Sequence, residues 1–320
     1  KYKFWLGKTQ EQLQEYESSR QTFQDLIDDD PLGYYGILAH RENHQLLTLP
    51  NAQRSIASID FNKQPSQYFS NSVDTLFLDW LIAVNETQVA NDYLKHIAKS
   101  FRKKEVLSND AWVALFNYYA RAGSYLSLFS ELGQLEPEQR KSILIRNPQL
   151  IFPKPWFSTV SEAAHQFGIK PEFIYAIMRQ ESAFNPKARS HMDAFGLMQL
   201  LPSVAKKSAE ANQLPFDEAD DLFKPEIIIP LGSAHLRSLL EKNNGHFILA
   251  TASYNANGKA INNWLNTRFN GNPLEFIEDI PYKETRNYIK LVMRNYVFYS
   301  LLNSSQQAIT FPEWTLHIEK

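Results

Sequence analysis

The sequence predicts an all-α protein, and three observations carry that reading. Glycine is scarce, 11 of 320 residues, roughly half of its usual share of about 7%. Alternating apolar–polar stretches and Asn-Gly hairpin signals are rare, so few strands are expected. Aromatic residues reach 13%, and they recur at helical spacings. With 43% hydrophobic residues the chain can bury a large core. Its length suggests about two domains.

Residues 1–150 read as short amphipathic helices. The first covers residues 11–27, with Leu13, Tyr16, Phe23 and Leu26 near one stripe, and Pro31 stops it after Asp28-Asp29-Asp30. A second begins over 32–39. A third, over 72–84, reads as buried, and a fourth covers 89–101. Ser108-Asn109-Asp110 then caps a helix over 111–122. Helices in pairs with short connections suggest a solenoid-like α-superhelical region over 1–85 and linker helices over 86–150. No clean repeat period accompanies them, so an irregular helical domain is the alternative. Pro148, Pro153 and Pro155 then disfavour helix and predict an extended link into a segment over 151–320.

Composition excludes several function classes. Lys+Arg 33 against Asp+Glu 35 leaves a net charge of −2, which argues against an electrostatic nucleic-acid binder. Cysteine is zero, so disulfides and thiolate metal sites are excluded. The longest near-apolar run, over 76–84, is interrupted by Asp79 and is far shorter than the ~20 residues that cross a bilayer. The chain opens on Lys1-Tyr2-Lys3, which reads as a mature or trimmed start with any signal peptide removed.

The chemistry concentrates in the last segment. A helix over 171–181 begins with Pro171, a residue suited to a first turn. Phe173, Ile174, Ile177 and Met178 fall at roughly 0°, 100°, 40° and 140° around it, and Glu181 at roughly 80°, inside the apolar stripe. Burial and the negative end of the helix dipole both disfavour the ionised carboxylate. A carboxyl so placed can stay protonated near neutral pH and act as a general acid. The alternative is a glutamate that pairs with a buried Arg or reaches solvent past the helix end. His235 and His246 have no ligand-spaced partner and read as core or surface residues, and no metal or organic cofactor is implied.

Four stretches then stand together: Arg179-Gln180-Glu181-Ser182-Ala183-Phe184-Asn185-Pro186, Gly196-Leu197-Met198-Gln199, Tyr254-Asn255-Ala256, and Ile280-Pro281 with Glu284-Thr285-Arg286 and Tyr288. In order and spacing they resemble the soluble lytic murein transglycosylases of bacteria, and the helical N-terminal half resembles that family's α-superhelical and linker regions. The resemblance implies a goose-lysozyme-like, α-rich catalytic domain over 151–320. It implies cleavage of peptidoglycan between N-acetylmuramic acid and N-acetylglucosamine without water, leaving a 1,6-anhydromuramoyl end. Glu181 matches the family's single catalytic acid and base. Ser190, Met198, Gln199, Tyr254, Asn255, Glu284 and Tyr288 match residues lining its sugar groove. Plain core packing is the alternative for Met198, and a salt bridge to Arg286 the alternative for Glu284.

The resemblance also implies peptidoglycan strands as partner, the periplasm of a Gram-negative cell, and a soluble protein. Protein partners through the N-terminal helices are compatible with it. Two stretches depart from the family pattern. Asp193 stands where a glycine is usual and Phe195 where a small residue is, and Asn257 and Lys259 replace residues of a Gly-Pro-Gly loop. Two other functions remain open on the residues: a hydrolase of the same fold that uses water, and an inactive peptidoglycan-binding scaffold.

Overall fold

The computed structural model describes residues 1–48, 72–103, 107–256, 258–306 and 308–319. Sixteen α-helices lie among them, and the all-α reading holds. The one strand pairing among the described residues is antiparallel, β1 (Leu47–Thr48) with β2 (Ala308–Ile309). The chain divides into two compact units.

The first unit holds Lys1–Thr48, Trp156–Glu181 and Arg189–Lys320. Its N-terminal helices are α1 (Tyr2–Gln12), α2 (Tyr16–Asp29) and α3 (Tyr34–Glu42). The single helix read over 11–27 is thus two helices, broken where Gln14 turns left-handed at φ 64°. The break folds α1 against α2 so closely that a Cβ on Gly7 would meet the Phe23 ring at 2.7 Å. Phe23 and Leu26 are buried as the stripe predicts, but Leu13 and Tyr16 flank the break and are exposed.

The rest of this unit comprises α9 (Phe157–Phe167), α10 (Pro171–Ser182), α11 (Pro202–Asn212), α12 (Pro225–Lys242), α13 (Phe247–Asn255), α14 (Gly258–Arg268), α15 (Pro273–Asp279) and α16 (Lys283–Asn303). The 21-residue α16 is buried along most of its length, from Tyr288 through Val292 and Val297 to Leu301. Such a helix needs cover on several sides. It packs against α13, α15 and α3. The α3 contact is clamped by charge: Glu278 Oε1 accepts from Tyr35 Oη at 2.6 Å and from Lys290 Nζ at 2.6 Å. Burial alone would raise the Glu278 carboxyl, but its bonds from Lys1, Lys290 and Tyr35 hold it down at about 2. Residues 1–48 therefore share a core with the C-terminal part of the chain, a grouping that cuts across the segments 1–85, 86–150 and 151–320 read from the sequence.

The second unit spans Leu49–Pro155 and Ser182–Ala188. It contains α4 (Ser72–Ala83), α5 (Thr87–Phe101), α6 (Asn109–Arg121), α7 (Tyr125–Gly133) and α8 (Pro137–Arg146). Ser108 caps α6 through its hydroxyl oxygen, which accepts from Ala111 N at 3.3 Å. Leu94, Leu115, Phe116 and Leu128 are fully enclosed in its core. The helix read as buried over 72–84 is covered on one face only: Leu78 and Leu81 are buried, while Leu76 and Trp80 are exposed. The reason is that α4 is apolar nearly all round, so its composition does not say which face is covered. The proline-rich link is less extended than expected, since Pro148–Leu150 forms a 3-10 turn.

Candidate active site

The site is built on the end of α10. Phe173, Ile174, Ile177 and Met178 are buried, as the helical phase requires. The helix stops where Ala183 and Phe184 take left-handed backbone, φ 48° and 62°. Glu181 lies in the last turn and is half-buried. Burial pushes its carboxyl up to about 7, against the Tyr288 hydrogen bond, which favours the ionised form, and with the Glu284 charge, which adds to the rise. The Tyr288 hydroxyl donates to Glu181 Oε1 at 2.5 Å. Arg179 does not neutralise the acid: its guanidinium donates to Asn295 Oδ1 at 3.2 Å.

The turn 195–200 forms a second part of the site. Phe195 and Leu200 exchange backbone hydrogen bonds at 3.0 and 3.1 Å. Gly196 has φ 64°, and a Cβ there would lie 1.9 Å from the Leu222 carbonyl oxygen, so only glycine fits. Met198 has no exposed surface. Its sulfur would be 2.2 Å from a Cβ on Gly232, so the side chain fills the core. What Met198 offers the site is its carbonyl, which accepts from the Tyr254 hydroxyl at 2.8 Å. Gln199 Nε2 donates to the Gly196 carbonyl at 2.9 Å within the same turn. Ser190 Oγ accepts from the backbone N–H of Met192 and Ala194 at 3.2 and 3.0 Å, which makes it a turn former.

Tyr254 and Asn255 end α13, facing the start of α16. Burial, reinforced by the Glu181 charge, holds the phenols of both Tyr254 and Tyr288 well above their usual range, so both remain hydrogen-bond donors. Asn255 Nδ2 donates to Glu284 Oε1 at 3.4 Å, and Thr285 Oγ1 donates to Asn255 Oδ1 at 2.7 Å. The alternative ion pair of Glu284 with Arg286 does not form. Arg286 donates instead to the carbonyls of Glu278 and Ile280 at 3.0 and 3.4 Å. Glu181, Tyr254, Asn255, Glu284 and Tyr288 thus converge, while Ser190 and Gln199 are bonded within their own turns and Met198 turns inward.

Two residues join the site that the sequence did not match to the sugar groove. His235 on α12 packs its ring 5.4 Å from that of Tyr254, and burial pushes its imidazole down to about 4. A lone histidine between apolar neighbours carried no sequence signal for this. Thr285 is the second, and its signal was its place beside Glu284 at a helix start. Among the described residues no group of three His, Asp or Glu side chains is disposed to hold a metal ion.

Asp193 and Phe195 make their contacts with residues other than Glu181. Asp193 is exposed and pairs with Arg189 at 2.7 Å. Its backbone is left-handed, φ 57°, a conformation that glycine adopts without cost. Phe195 is buried and packs on Phe223, ring centres 5.4 Å apart. Lys259 is exposed in the first turn of α14, and Asn257 lies outside the described residues. Asp193→Gly should therefore leave the alkaline limb of any activity profile in place, because exposed pairs contribute at most about 1 kcal/mol and are screened. Profiles of parent and variant at low salt check this; a displaced limb would mean that the Asp193 charge reaches the acid.

Residues 158–277 match the family described as Transglycosylase SLT domain. A Haemophilus influenzae protein named provisionally as a soluble lytic murein transglycosylase is 40% identical over 169 residues, covering 52% of this chain and 28% of its own. The soluble lytic murein transglycosylase of Salmonella typhimurium is 33% identical over 149 residues, covering 46% of this chain and 23% of its own. The X-ray structure of lytic transglycosylase Slt from Pseudomonas aeruginosa, a glutamate-to-glutamine mutant described as inactive, superposes with TM-score 0.73 at 26% identity. That superposition covers 93% of this chain and 46% of the other. The chain thus spans less than half the length of each relative.

Proposed function

We infer that this chain, whose residues 158–277 match the Transglycosylase SLT domain family, cleaves the β-1,4 bond between N-acetylmuramic acid and N-acetylglucosamine in peptidoglycan without water. The observation that carries the reading is the Glu181 carboxyl, raised to about 7 and bonded at Oε1 by Tyr288. With Oε1 taken as acceptor, the proton of the neutral acid resides on Oε2. From there it passes to the glycosidic oxygen as the bond to the anomeric carbon breaks. The muramoyl 6-hydroxyl then attacks that carbon and returns its proton to Glu181, closing a 1,6-anhydro ring. The books balance with one acid that becomes one base and is restored.

Tyr254 and Tyr288 supply hydroxyls and ring faces near the scissile bond in this reading, and Asn255 and Glu284 hold polar groups of the glycan. The described inactivity of the Pseudomonas glutamate-to-glutamine mutant supports an essential glutamate in such enzymes. A typical retaining or inverting hydrolase needs a second carboxylate to activate water or to act as nucleophile. Glu284 is exposed and accepts from Asn255, an arrangement that suits binding better than attack.

Digestion of murein in heavy-oxygen water separates the two chemistries. The expected product is a muramoyl end free of the label and one water lighter than a hydrolysed end. Labelled reducing ends as the main product would move the chain to the hydrolase reading.

The same proposal places the chain in the periplasm as a soluble protein acting on glycan strands. It leaves the N-terminal helices able to meet protein partners. Among the described residues no helix is long and apolar enough to cross a membrane.

A further inference from the structure

We propose that Thr285 is a positioning residue that locks the Asn255 amide with its N–H groups outward, making Asn255 a donor to an oxygen acceptor of the bound glycan. This rests on the reading of the groove as the murein site. Asn255 closes α13, and Thr285 lies in the first turn of α16. The Thr285 side chain is enclosed, the residue being 2% exposed. Its hydroxyl donates to Asn255 Oδ1 at 2.7 Å, while Asn255 Nδ2 donates to Glu284 Oε1 at 3.4 Å.

The two ends of a primary amide are told apart by their partners. The Glu284 charge contributes to the Glu181 rise, and a carboxylate offers only acceptors, so Asn255 has to present N–H to it. The carbonyl end then faces Thr285, whose hydroxyl has to donate. A flipped amide would set its oxygen against the Glu284 carboxylate, which is repulsive. Thr285, at 2.7 Å, and Glu284, at 3.4 Å, therefore face opposite ends of the same amide and favour one orientation.

Of the two Nδ2 protons, Glu284 takes one. The other is available on a half-exposed residue to an acceptor such as an acetamido carbonyl. A ligand group that could only donate would find no partner at this amide. The bland alternative is that Thr285 merely ties α13 to α16. The two differ in whether the effect of Thr285 passes through Asn255.

The test uses the full chain, turnover of murein, and melting curves on the same samples. Thr285→Val keeps the shape and removes the donor; Thr285→Ser keeps the donor. Thr285→Val should lower kcat/KM about tenfold, the scale of one buried hydrogen bond, and Thr285→Ser should retain most of the parent value. In an Asn255→Ala background Thr285→Val should cost nothing more, because contacting residues that act as a unit are non-additive. Multiplying losses, or a Ser variant as poor as the Val one, would overturn the proposal.

A second measurement does not need the Val variant to fold. In Glu181→Gln protein, the Asn255 side-chain N–H signals, assigned by their loss in Asn255→Ala, should shift when soluble murein fragments are added. Unmoved signals overturn the donor role. A parent that releases no anhydromuramoyl ends counts against the functional reading alone, since the Asn255 signals report on the amide without turnover.

Discussion

Glu181→Gln should abolish murein turnover and, above neutral pH, stabilise the fold. The loss follows from removing the proposed acid: proton transfer and its electrostatic support go together, and a drop of about 10³-fold or more is expected. The gain follows from the raised pKa. Below pH 4.5, the ordinary value, folded and unfolded chains both carry the proton and the group adds no penalty. Between 4.5 and about 7 the unfolded chain releases it while the folded chain keeps it. Stability therefore falls as pH rises through that window, and the full penalty stands above about 7. At about 1.4 kcal/mol per unit, the penalty is on the order of 3 kcal/mol. Glutamine keeps an oxygen for the Tyr288 hydroxyl and never ionises. Melting curves of parent and variant should coincide near pH 4, diverge up to about pH 7 and keep a constant separation from there to pH 8. A variant that melts below the parent at pH 8 would show that Glu181 is not a desolvated acid, and substantial remaining turnover would remove it from the chemistry.

Glu181 was legible because helical phase is a local property: ten residues suffice to place it on the stripe of Phe173, Ile174, Ile177 and Met178, all four of which are buried. What covers a stripe is not local. α4 reads as buried because it is apolar nearly all round, yet Leu76 and Trp80 are exposed, since one helix cannot say how many neighbours it has. The break at Gln14 carries no glycine or proline signal. It is dictated by α1 packing on α2, where Gly7 makes room for the Phe23 ring.

Long-range partners were equally hidden. Tyr35 meets Glu278 across 243 residues, and this contact helps to place residues 1–48 with the C-terminal helices. Met198 resembles a groove residue by motif, but the space above Gly232 on another helix draws its side chain into the core. Hydroxyls and amides pose the same difficulty at atomic scale. Thr285 stands inside a motif in sequence, but only the geometry of Asn255 and Glu284 gives its hydroxyl a direction.

The activity profile should lose its alkaline limb near pH 7, and Tyr288→Phe should move that limb upward while lowering the rate below it. The carboxyl must hold its proton to act, so activity declines as Glu181 ionises at about 7. Burial is the larger cause of that value, and the Tyr288 hydrogen bond opposes it. A donor 2.5 Å from Oε1 stabilises the carboxylate more than the neutral acid. Phenylalanine keeps the ring and the burial but removes the donor, so the carboxyl rises further. A hydrogen bond to a charged group is worth about 1.5–3 kcal/mol, which corresponds to an upward shift of about one to two pH units. The plateau rate should fall at the same time, because Oε1 no longer has a fixed donor and the proton is no longer confined to Oε2. A variant with merely loosened packing would let water in and lower the limb instead, so the direction of the shift separates the two causes. Initial rates of anhydromuramoyl release from pH 4 to 9, for parent and Tyr288→Phe at constant ionic strength, decide it. A parental limb near pH ~4.3, the value of an unperturbed glutamate, would refute the buried acid, and a limb that falls in Tyr288→Phe would refute the role of the phenol.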